Sequence, residues 1–98
     1  MGHRARYIAT HYRRGERPGY VAGVRLLERR EDDFQDRDLV DRQEVLELLD
    51  EGERIFTWDD EGEGLGAEIE LVRVDGERFM RTDGEQLRAD HLADLPEV

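Results

Sequence analysis

What most constrains this chain is where its few apolar residues sit. They come in short dense runs at residues 20–27 (YVAGVRLL), 45–49 (VLELL), 54–58 (RIFTW), 69–74 (IELVRV) and 78–80 (RFM), separated by acidic stretches. With 37% apolar against 42% charged residues, the average composition leans toward disorder, but the clustering is that of a chain that buries one small core. A length of 98 residues fits a single domain, 1–98, and no second core.

The runs differ in periodicity. Residues 4–14 alternate around Tyr7, Ala9 and His11, and residues 20–29 are rich in Val and Leu, so both read as strands. Between them Pro18 and Gly19 suit positions i+1 and i+2 of a type II turn, and Gly23 suggests a bulge. Residues 30–40 (REDDFQDRDLV) are acidic and aperiodic and read as a loop. The next segment predicts a helix: Asp41 as N-cap, Glu44 three residues on, Val45, Leu48 and Leu49 on one face, and Gly52 at the C-cap. Residues 54–58 predict a strand, and Asp75-Gly76 between two apolar runs predicts a hairpin. The expected fold is α+β: a two-layer, mainly antiparallel five-strand sheet in ββαβββ order with one helix packed on a face.

Missing residue types exclude chemistry. The sequence has no Cys, Ser, Lys or Asn, and all fifteen basic residues are Arg. Thiolate and serine nucleophiles, Schiff-base and P-loop lysines, disulfides and Cys-based zinc sites are therefore unavailable. Neither an enzymatic activity nor a cofactor is expected. No apolar run approaches the roughly 18 residues of a membrane span, and the first residues lack a signal-peptide core; a cytoplasmic chain is expected. A net charge of −11 repels itself unless salt screens it. Both a halophilic host and a GC-rich genome yield such a composition.

Charge is segregated. Residues 1–30 hold eight Arg against two Glu, and the rest holds seven Arg against twenty-four acids. Internal compensation is the expected reading. The alternative is a single-stranded nucleic-acid platform in which Arg4, Arg6, Arg13, Arg14 and Arg25 take phosphates while Tyr7 and Tyr12 stack on bases. A protein partner, or a second copy, would add a strand at an open sheet edge, offered by the second strand or the Trp58 strand.

Two acidic constellations have spacings that invite a metal ion. His91 and Asp94, three apart, would share a face on a helical turn, and Asp90 adds another carboxylate; the plainer expectation is that Asp90 caps such a turn while Leu92 and Leu95 dock on the sheet and Pro96 ends it. Residues 59–70 place Asp59, Glu61, Glu63, Gly64 and Glu70 at calcium-loop spacing, but Gly66 stands where an apolar residue belongs and strands flank the loop where helices should. A solvated acidic turn is expected. No metal site is assigned.

Residues 5–96 resemble the DUF3892 family of small prokaryotic domains. The likeness rests on the strand VAGVRLL, the helix RQEVLELLDEGE and above all the closing FMRTDGEQLRADHLADLP, in which Phe79-Met80, Arg81-Thr82, Asp90, Leu92 and Leu95-Pro96 match the family pattern. His91 stands where that pattern has Asn, and the 30–40 segment is longer than the family's. The resemblance implies a fold of this kind and no mechanism.

Overall fold

A computed structural model describes residues 6–31, 33–59, 64–93 and 95–98. Six strands and one helix follow one another: β1 (Tyr7–Arg14), β2 (Val21–Arg30), β3 (Asp33–Asp41), α1 (Arg42–Asp50), β4 (Ile55–Asp59), β5 (Gly64–Val74) and β6 (Glu77–Arg81). The strands form one sheet in the order β3-β2-β1-β4-β5-β6. Neighbours are antiparallel except β1 and β4, which run parallel at the centre. The fold is thus α+β with a mostly antiparallel sheet, and six strands replace the expected five.

The added strand is β3, read from the sequence as a loop. Its only buried residue is Val40, because an edge strand has a neighbour on one side alone and leaves both faces largely wet. Acidic side chains suit that position and erase the alternation that marks a half-buried strand. A bulge opposite Leu26 takes up the additional length, with Asp38 at φ 58.

Turns and helix follow the local rules. The Tyr20 amide donates to the Arg17 carbonyl across Pro18-Gly19, with Gly19 at φ 85, and Asp75-Gly76 adopts φ 53 and 81, as a two-residue type I′ turn requires. Asp41 caps α1 by accepting from the Glu44 amide. At the other end Gly52, at φ 93, donates to Leu49 while Glu53 donates to Leu48, the paired bonds of a Schellman motif. Gly23 is required by proximity: a Cβ there would lie 2.6 Å from the Val40 carbonyl oxygen.

Helix α1 touches β2 and β3 as well as β5 and β6, so the sheet curls about it. Val45 and Leu46 enter a core with Tyr7, Ala9, Val24, Leu26, Ile55, Ile69 and Met80. The Val, Leu, Ile and Met side chains among them each contribute about 1.5–3 kcal/mol on burial. Among the described residues no helix is long and apolar enough to cross a membrane.

Where a capped helical turn was expected, described residues of the last segment bridge to the strands. The backbone of His91 bonds Met80 and Thr82, and Tyr12 bonds Pro96 and Val98. Because β4 pairs only with Tyr7–Ala9 of β1, the chain end occupies the place beside Tyr12 and delivers Leu92 and Leu95 to the core.

Candidate functional site

Asp90 is no helix cap and no metal ligand in waiting. Its side chain is 0% exposed and accepts from the Val21 amide at 3.0 Å, the Met80 amide at 3.1 Å, and Arg42 Nε and Nη2 at 2.8 and 3.2 Å. Arg42 also donates to the Arg78 carbonyl, and its guanidinium lies over the Tyr20 and Phe79 rings. The knot has a topological effect. In the β5–β6 hairpin the outward groups of β6 are those of Arg78, Met80 and Thr82. The Arg78 carbonyl is taken by Arg42, the Met80 amide by Asp90, and the Met80 carbonyl and Thr82 amide by His91.

The described members of the metal constellation, Asp90 and His91, are engaged differently. Asp90 is committed inward, whereas the exposed His91 ring lies 4.0 Å from Asp83; Asp94 lies outside the described residues. Asp83 is itself chelated by Arg81, which holds its carboxyl far below the usual range. Of the calcium-loop spacing, Glu61 and Glu63 also lie outside the described residues. Among the described residues no three His or carboxylate side chains are grouped to hold a metal.

The basic hairpin is dispersed. Tyr7 is 4% exposed in the core, its hydroxyl pushed up by burial and then by Glu28, and Tyr12 packs against the same core. Tyr7 thus presents no stacking face, while Tyr12 is half-buried. Arg6 pairs with Glu28 and Glu53, Arg14 with Glu97, and Arg25 with Asp36; Arg4 lies outside the described residues. Arg13 has no carboxylate partner among the described residues. The expected edges are corrected too, since β2 and β4 are interior strands. The open edge among the described strands is β3, and it is blunted: Asp33 accepts from the Phe34 amide and Asp36 from the Asp38 amide.

What the sequence did not single out is the sheet face away from α1. Directly paired residues point the same way, so the register sets Leu27, Ile8 and Phe56 in one row, with Asp36 and Glu68 at its ends. The next row pairs Trp58 with Leu65, and Leu39 with Arg25. Trp58 is 40% and Leu65 50% exposed. Arg54 lies over the Phe56 ring at 5.1 Å and chelates Glu68, whose carboxyl is held below its ordinary value; Arg29 lies over Phe34 at 6.0 Å. The signal was present as alternation of Phe56 and Trp58 along a five-residue strand. It became readable only once the pairing register showed which residues flank them.

Comparison with protein-family models, with curated proteins and with solved structures gives no match for this chain.

Proposed function

We propose that the chain is a small non-catalytic interaction or accessory domain that engages a partner through the helix-free face of its sheet. One observation carries this: Phe34, Leu39, Trp58 and Leu65, four large exposed apolar side chains, share that face. An apolar patch that a fold gathers on one side and leaves uncovered marks a contact surface. Strand addition at β3 is the weaker mode, because Asp33 and Asp36 already occupy amides that a partner strand would need.

The carboxylates speak for the same reading. Those whose proton affinity is lowered are each tied to a structural partner: Glu28 to Arg37, Asp36 to Arg25, Glu68 to Arg54, Glu77 to the Tyr20 hydroxyl, Asp83 to Arg81. These are the perturbations of an ion-pair lattice. Kinship with the DUF3892 family is proposed on the closing motif. Its residues serve the fold: Asp90 in the knot, Leu92 and Leu95 in the core, and position 91 through its backbone, which suits either Asn or His.

A photo-reactive phenylalanine analogue at position 58, compared with one at Glu47 on the exposed side of α1, tests the reading in the host cell. Adducts from position 58 alone are expected. Adducts from position 47 alone, or equal yields from both, would refute it.

A further inference from the structure

The chain carries −11 overall, yet its helix-free face does not share that sign. Arg13, Arg25, Arg29 and Arg54 stand there against Asp36, Glu68 and, farther along β5, Glu70. Two of these arginines are held by face carboxylates, Arg25 by Asp36 and Arg54 by Glu68. Arg13 and Arg29 have no carboxylate partner among the described residues, and they bracket the apolar rows, Arg13 at the C-terminal end of β1 and Arg29 at the C-terminal end of β2. Between them lie Phe56 and the exposed Trp58, with Phe34 beside Arg29.

Extent narrows the occupant. Five strands at about 4.8 Å spacing and eight residues at about 3.3 Å give a face of roughly 500 Å². Specific protein complexes usually bury about 800 Å² of accessible surface per partner, so a footprint of this size sits at the low end for a stable dimer. A flexible single strand carrying negative charge and flat rings matches both the size and the chemistry, since aromatic rings take bases and arginines take phosphates.

Resting on the reading that this face is the contact surface, we propose that its occupant is a single-stranded nucleic acid, with a base stacked on Trp58 and its phosphates held by Arg13 and Arg29. The site differs from the Arg/Tyr hairpin read from the sequence: among the described residues of that set, Arg13 and Arg25 lie on this face.

Trp58 is the only tryptophan, so its emission reports on the face directly. The test is a titration of the full chain with a short thymidine oligonucleotide, followed by Trp58 emission and amide shifts at low and at high salt. Saturable quenching is expected, with shifts on β1, β2 and β4 and an affinity that falls steeply as salt rises. Arg13→Glu with Arg29→Glu should weaken binding at least tenfold while the amide spectrum elsewhere stays folded. Three results would overturn the proposal. One is unchanged emission and shifts at low salt. Another is equal response to polyglutamate, which shows attraction to any polyanion without stacking. The last is association that needs no oligonucleotide and grows with salt, which makes a second copy the occupant. If position 58 still cross-links a protein after any of these, the contact surface stands and only the nucleic-acid occupant falls.

Discussion

Asp90 does for β6 what a seventh strand would otherwise do. One carboxylate, buried and met by two amides and a guanidinium, fixes the turn of the first hairpin, the start of α1 and the last strand to one another. A buried charge is tolerated at such a place because every lone pair is used, and removing it leaves Arg42 and two amides unpaired in a dry site. Asp90→Ala is therefore expected to cost about 3–5 kcal/mol. For a domain of this size that lowers Tm by more than about 12 °C. A loss under about 1 kcal/mol in urea unfolding would show the knot to be dispensable. From the sequence Asp90 read as a cap, because a lone Asp before His-Leu looks the same whether its acceptors serve a helix start or distant strands.

The strands and helix divide by how local their causes are. Helix α1, the Pro18-Gly19 turn and the Asp75-Gly76 hairpin are written in residues two to four apart, and all were legible. The parallel pairing of β1 with β4 joins residues nearly fifty positions apart, and no short-range pattern encodes it. β3 was missed for the same reason that it is well behaved: its acids hide it from a search for alternation and also discourage edge pairing. In the variant Asp33→Thr with Asp36→Thr, the Phe34 and Asp38 amides lose their side-chain acceptors and Arg25 its partner. Sedimentation should then show concentration-dependent association beyond that of the parent chain; unchanged sedimentation would mean that the bulge alone protects the edge.

At the scale of the molecule, charge works in two opposed ways. Net repulsion among −11 charges eases as acid is added, whereas the ion pairs weaken. The carboxyls of Glu28, Glu68, Glu77, Asp36 and Asp83 are held below their ordinary values, 4.5 for Glu and 3.8 for Asp. The unfolded chain thus binds more protons, and their stabilisation is complete above those ordinary values and lost as pH falls through the lower folded ones. In about 1 M salt, where the Debye length is about 3 Å, the net-charge effect is screened and the direct pairs persist. Tm is then expected to be level from neutral pH to about 5 and to fall below that. A Tm that rises on acidification at this salt would show that repulsion outweighs the pairs.

The central claim is that the sheet, sealed at β6 and blunted at β3, leaves its helix-free face as the surface that meets a partner. Residue-by-residue amide line broadening of the isotope-labelled chain in extract of its host cells tests this most directly. Loss of signal should gather at Leu27, Ile8, Phe56, Trp58 and Leu65 and spare α1. Broadening confined to α1, or to the outer edges of β3 and β6, would contradict it.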